Sequence, residues 1–225
     1  MRKGEISEFL DIKKLKEILQ NIKKKRILVV GDIFLDRFIW GDVSRISPEA
    51  PVPVVEVRNE SFTAGGAGNV AFNIKSLGGN VILIAGIGKD TNGEILSKLV
   101  KKNGVETFFL ERECPTITKT RIIGINQQIV RIDREIKIKL SNKEERKIID
   151  KIGEIIDKID GIIISDYGKG IITKKLISFL IEIKKKKGIV LCIDPKLEHF
   201  TYYKNVTCLT PNKKEAAEGM KTSVS

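Results

Sequence analysis

Two apolar patterns alternate along the chain. RILVV (26–30), NVILIAGIG (80–88), DGIIISD (160–166) and GIVLCID (188–194) are short continuous runs with charged or turn residues at their borders, and they predict buried strands. NVTCLT (205–210) predicts a further one. Between these runs, apolar residues recur at helical spacing. Ile6, Phe9, Leu10, Leu15, Ile18 and Leu19 predict an N-terminal helix over 5–22. The glycines at 65–68 open a helix that ends at Gly78-Gly79, and residues 90–104 predict another, capped by Asp90 or Thr91. Ser141 and Glu144 form a capping-box pattern for a helix over 141–159; residues 173–187 predict the next, and NKKEAAEGM begins a last one. This alternation predicts an α/β fold with a mainly parallel sheet and helices on both faces.

Two stretches break the alternation. Residues 37–58 are rich in β-formers but hold Pro48, Pro51 and Pro53, which places VPVVEV at an edge or in an accessory sheet. TFFL (107–110) is strand-like, and TITKTRIIG (116–124) and QQIVRID (127–133) predict a hairpin around Gly124–Asn126. A small second sheet follows from these. In parallel sheets ligands lie at the carboxyl ends of strands. Here those ends read Gly31-Asp32, expected as a turn, then Asp90, Ser165-Asp166, Asp194-Pro195-Lys196 and Thr210-Pro211-Asn212.

Composition narrows the class. The 225 residues are 41% hydrophobic and 31% charged, a globular balance that excludes a disordered chain. No stretch approaches the ~20 uncharged apolar residues of a membrane span, and the charged start lacks a secretory apolar run. A cytoplasmic chain without a membrane partner is expected. Cys114, Cys192 and Cys208 fit neither a disulfide framework nor a zinc pattern, and Cys192 and Cys208 are expected in the core. His199, the only histidine, is expected in a loop, with no nucleophile motif beside it. The net charge of +12 suits an anionic partner. No aromatic residues interleave with the lysine clusters, so they are expected to be solvated faces, not a nucleic-acid surface.

Candidate chemistry concentrates in a few motifs. GxxxxGK[ST] does not occur, and Gly66–Ala71 fits a loose GxGxxA only outside the first strand-to-helix turn. Asp32 and Asp36 offer acceptors for a polyol, or alternatively a turn and a helix cap. The run from Ala64 to Asn69 allows close approach to backbone N–H groups, and Asn69 adds a donor and an acceptor. Asn212 to Glu215 reads as a capping box, or as a carboxylate orienting a water on Mg²⁺. Lys169 and Lys196 each stand just past a strand end, suited to phosphate or simply solvated.

In this order the motifs resemble the ribokinase-like carbohydrate kinase family. Gly65-Gly66, Asn69, Ala71, Gly78 and Gly88 carry the resemblance over a long span. GDIFLDRFIWGDVSRISPEAPVPVVEV, TAGGAGNVAFNIKSLGG, PTITKTRIIGINQQIVRID, SDYGKG, IDPK and LTPNKKEA are similar to the branch that phosphorylates a heptose 7-phosphate, from about Arg26 to Met220. The resemblance implies a Rossmann-like core over 26–225 after an N-terminal helix in 1–25. A β lid is implied from about 37–63 and 115–134, with a homodimer contact through it. It implies that Asp32, Asp36, Gly65, Gly66 and Asn69 hold the sugar. Asn212, Lys213, Lys214 and Glu215 match the family's NxxE motif at an ATP–Mg²⁺ site, with Lys196 beside it and Glu215 reaching the metal through water. Lys119, Arg121 and Arg131, on the lid strands, are expected at the sugar phosphate because an anion needs basic partners. The family's catalytic aspartate lies in a GAGD motif, and no GAGD occurs in this sequence. The base is therefore expected beyond the C-terminus. The chain is expected to be a truncated kinase domain, nearly inactive alone, with a separate C-terminal chain as its potential complement.

Overall fold

The computed structural model describes residues 11–124 and 127–221. Helix α1 (Ile12–Ile22) starts at Asp11, whose carboxylate caps it; the part of the expected helix before residue 11 lies outside the described residues. Strands β1 (Arg26–Gly31), β4 (Asn80–Gly88), β5 (Glu106–Arg112), β8 (Gly161–Ser165), β9 (Val190–Asp194) and β10 (Cys208–Leu209) form one parallel sheet in the order β10-β9-β8-β1-β4-β5. Strands β2 (Ile33–Ile46), β3 (Pro53–Gly66), β6 (Thr118–Gly124) and β7 (Gln127–Arg134) form a smaller mixed sheet in the order β3-β2-β6-β7. Ile125 and Asn126, where the hairpin turn was expected, lie outside the described residues.

Helices α2 (Ala67–Ser76) and α3 (Thr91–Lys102) cover one face of the large sheet, where Ala71, Ile74, Leu96 and Val100 pack with Val29 and Leu83. Helices α4 (Asn142–Ile155) and α5 (Lys174–Lys187) cover the other, where Ile148, Ile152, Leu176 and Leu180 pack with Leu28 and Val30. β1 is buried on both faces, so its sequence is a continuous apolar run rather than an alternating one. The Ser141–Glu144 capping box forms as expected.

Three local readings need correction. Gly31-Asp32 is no turn: β2 begins at Ile33, so Asp32 is a one-residue joint between the two sheets. NVTCLT yields only a two-residue strand at the sheet edge, with Cys208 exposed and Cys192 partly exposed. With a neighbour on one side only, β10 does not enclose Cys208 as a core would, and Cys192, paired with Cys208 across the sheet, shares that thin cover. His199 is half-buried in a 3-10 turn (Leu197–Tyr202), its Nδ1 2.5 Å from the buried Asp166 carboxylate.

The two sheets are clasped beside this joint. Asp90 caps α3 through the Gly93 amide at 2.8 Å, and it also accepts the Thr116 amide at 3.0 Å and the Thr116 hydroxyl at 2.6 Å. Burial pushes the Asp90 carboxyl up, but these bonds prevail and hold it below its ordinary value. A lowered carboxyl contributes stability above its unfolded pKa and loses it as pH falls through the folded one. Asp90→Asn is therefore expected to flatten the loss of stability between about pH 5 and pH 2. Denaturant midpoints across that range test this, and equal acid slopes in parent and variant would disprove it.

Candidate active site

The chain leaves β1 for β4 on one side of the large sheet and returns to β8 on the other. β1 and β8 thus flank a topological switch point, where the connections diverge and leave a crevice beyond the strand ends. In register, Gly31 faces Ser165, and Ser165 faces Asp194. The motifs singled out in the sequence collect around this crevice.

Asp32, expected at the sugar, lies in the foundation of this crevice, bonded to the 167–171 loop. It is 1% exposed, and its carboxylate accepts the amides of Tyr167 (3.0 Å), Lys169 (2.9 Å) and Ile171 (3.1 Å). Burial raises its carboxyl above the ordinary range and the neighbouring Asp166 adds to this, while the three amides pull it partly back. With most of its lone pairs taken by the 167–171 loop, Asp32 shapes the crevice from its base.

Asp36 does face the crevice side of the small sheet. It pairs with Arg121, whose guanidinium also lies over Phe38, 5.1 Å from the ring centroid. Lys119 bonds Asp133 at 3.1 Å and sits 5.3 Å from the Phe34 ring centroid. Arg131 bonds the same Asp133 at 2.9 Å. Arg121 and Arg131 stand directly opposite on antiparallel strands. Like charges so placed repel unless an anion lies between them. Asp36 and Asp133 supply part of that charge. The structure therefore gathers Asp36, Lys119, Arg121 and Arg131 on one sheet face.

The glycine run ends that sheet. Gly65 pairs with Phe34, and Gly66 has φ +60°, a left-handed conformation that favours glycine. α2 starts immediately at Ala67, and Asn69 is exposed in its first turn. Sequence reasoning missed Tyr167. Its ring meets Phe34 edge-on at 5.4 Å, and its hydroxyl is raised by burial, then by Asp194, Glu215 and Asp36. Tyr167 thus stands between the Asp36 side and the Glu215 side of the crevice. The only sequence signal was its place after a strand-ending aspartate.

On that far side, Asn212 and Glu215 form a reciprocal capping box at the start of α6 (Lys213–Met220), with both bonds at 2.9 Å. Lys213 opens α6, Lys214 lies 3.8 Å from Glu218, and Lys196 is exposed just beyond β9. Burial raises the Asp194 carboxyl, and the charges of Glu215 and Asp166 raise it further. Mutually repelling carboxylates suit a cation-bearing ligand. Among the described residues, no three His, Cys, Asp or Glu side chains converge to hold an ion directly. Asp166 itself is spent on structure: it accepts from Gly168 N at 2.8 Å, His199 and Tyr203.

Known proteins are similar to this chain in sequence and in fold. The description "pfkB family carbohydrate kinase" matches residues 24–223. The "Bifunctional protein HldE" of Desulfatibacillum aliphaticivorans is 45% identical over 195 residues, 86% of this chain and 40% of that protein. The HldE protein of Helicobacter pylori is 40% identical over 198 residues, 87% of this chain and 43% of that protein. The chain therefore spans about two fifths of the length of these curated relatives. Among solved structures, phosphofructokinase-2 from Escherichia coli in complex with substrates and products superposes with a TM-score of 0.70 at 21% identity, covering 89% of this chain and 64% of that one. A family match reaching from the start of β1 into α6, over the strand ends that carry the glycine run and the Asn212–Glu215 box, makes this chain a member of the pfkB family of carbohydrate kinases.

Proposed function

We propose that the crevice binds D-glycero-β-D-manno-heptose 7-phosphate. The chain then serves an enzyme that transfers the γ-phosphoryl group of ATP, with Mg²⁺, to the sugar's O1, giving the 1,7-bisphosphate for ADP-heptose and lipopolysaccharide synthesis. The observation that carries this reading is the facing pair Arg121 and Arg131 beside Lys119 and Asp36. A sugar phosphate brings an anion for the cations and hydroxyls for the carboxylate. As phosphate draws the guanidiniums, Asp36 is released from Arg121 to accept a sugar hydroxyl. Asn69, Gly65 and Gly66 offer the sugar further hydrogen bonds and room. The likeness to HldE proteins supports the heptose reading.

Glu215, Asn212, Lys213, Lys214 and Lys196 would face the nucleotide, whose Mg²⁺ neutralises charge developing on the transferred group. The sequence holds no GAGD aspartate. The proposal is that a base outside these 225 residues, on the same or a separate chain, deprotonates O1. It also includes a homodimer through the small sheet and a cytoplasmic reaction.

Thermal melts test the sugar site. At a concentration 100-fold above Kd, heptose 7-phosphate is expected to add about 2.7 kcal/mol and raise the midpoint by roughly 5–10 °C, whereas ribose should do little. Asn69→Ala, at an exposed position, is expected to melt like the parent without ligand and to shift less with it. An equal shift in parent and variant would remove Asn69 from the site. A shift with fructose 6-phosphate but not the heptose would reassign the substrate.

A further inference from the structure

α1 differs from the helices that cover the large sheet: none of its residues is buried. Ile12 is 74% exposed, Leu15 44%, Ile18 45% and Leu19 38%. At about 100° per residue, these four and Ile22 fall within an arc of about 120°. Lys14 borders that arc on one side and Lys16 on the other, while Lys13, Glu17, Gln20 and Asn21 fill the opposite face. From Ile12 to Lys25 there are six lysines against one glutamate. The basic surface continues past the helix, where Lys24, Arg26, Lys75 and Lys158 line a groove together with Glu106 and Asp160. Asn80 fixes the end of α1 beside this groove through the Lys23 carbonyl at 3.1 Å.

An apolar stripe edged with lysine suits one surroundings in particular. The stripe gains from leaving water, while lysine stems lie along it and carry their ammonium groups to anionic headgroups. A second copy of this face would bring lysines against lysines in a chain already at +12. We propose that α1 lies flat on an anionic lipid surface, apolar side down. The absence of a spanning segment does not bear on this mode: no described helix is long and apolar enough to cross a membrane, but a helix in the interface need not cross. α1 adjoins the start of β1, whereas the crevice lies at its far end, so docking leaves the candidate active site open.

The test is co-sedimentation of the full chain with vesicles of phosphatidylcholine alone, or with about 30% phosphatidylglycerol. Binding to the anionic vesicles only is expected, falling by at least about tenfold when salt is raised well above physiological strength. Leu15→Glu with Ile18→Glu should abolish binding, and Lys13→Gln, Lys14→Gln and Lys16→Gln together should weaken it by at least about tenfold. Unchanged melts would show that these variants fold. Equal binding to neutral vesicles, no binding, or undiminished binding by the glutamate variant would overturn the proposal. So would a change from dimer to monomer in that variant without any lipid binding by the parent, which would assign the stripe to a second copy.

Discussion

Replacing Asp32 by alanine is expected to destabilise the chain by about 3 kcal/mol, lowering the melting midpoint by roughly 6–12 °C. Loss of the side chain strands the amides of Tyr167, Lys169 and Ile171 in a nearly dry joint. Each unsatisfied buried donor costs about 1–3 kcal/mol. The sum is reduced because burial already disfavours the Asp32 charge, which alanine removes. Asp32→Asn keeps the shape and one acceptor oxygen, so its loss should be smaller. Amide hydrogen exchange should quicken first at residues 167–171. A midpoint within about 2 °C of the parent would show that this loop does not depend on Asp32.

A single methyl group at Gly65 is expected to cost nearly as much and to reach the ligand directly. A Cβ there would stand 2.0 Å from Phe34 Cε2 and 2.4 Å from Asp36 Oδ2. Both atoms would have to retreat, at an overpacking cost of about 1–3 kcal/mol. Phe34 is held by Tyr167 and Lys119, so Asp36 is the freer of the two and would move off the Arg121 side. Gly65→Ala should therefore weaken heptose 7-phosphate binding by roughly 10–100-fold beyond any change in stability. Isothermal titration on the folded variant measures it. Native affinity in that variant would mean that the sugar does not lie against Gly65 and Asp36.

Much of the fold was legible because periodicity reports burial. The runs that became β1 and β4 are apolar throughout since helices cover both their faces, whereas β9 buries only the face that carries Leu191 and Ile193. Pro53 correctly excluded VPVVEV from the large sheet, and β3 is an edge strand of the small one. Legibility stopped where the outcome depends on distant partners. Asp32 in GD looks locally like a turn residue, and only the 167–171 loop, over 130 positions away, makes it an internal acceptor. His199 has no local pattern to announce Asp166. Cys208 lies in an apolar run, yet its strand is a two-residue edge. In the candidate site, Asp36, Lys119, Arg121 and Arg131 were readable as chemistry and now share a sheet face. Tyr167 was not, because its value comes from standing between Phe34 and Glu215.

The one-residue joint at Asp32 has a mechanical consequence. β1 passes into β2 across a single residue, β3 passes into α2 with none, and Asp90 clasps the link from β5 to β6. A small sheet joined at three such places has little slack to swing on, although the stretch 135–141 after β7 is longer. It behaves as a stiff spring, and its compliance sits within the strands, at the register shifts beside Gly41, Arg45 and Ile123. Closing on a substrate would then be a graded twist of the ribbon, stored as elastic strain and returned when product leaves, without a population that flips between open and shut.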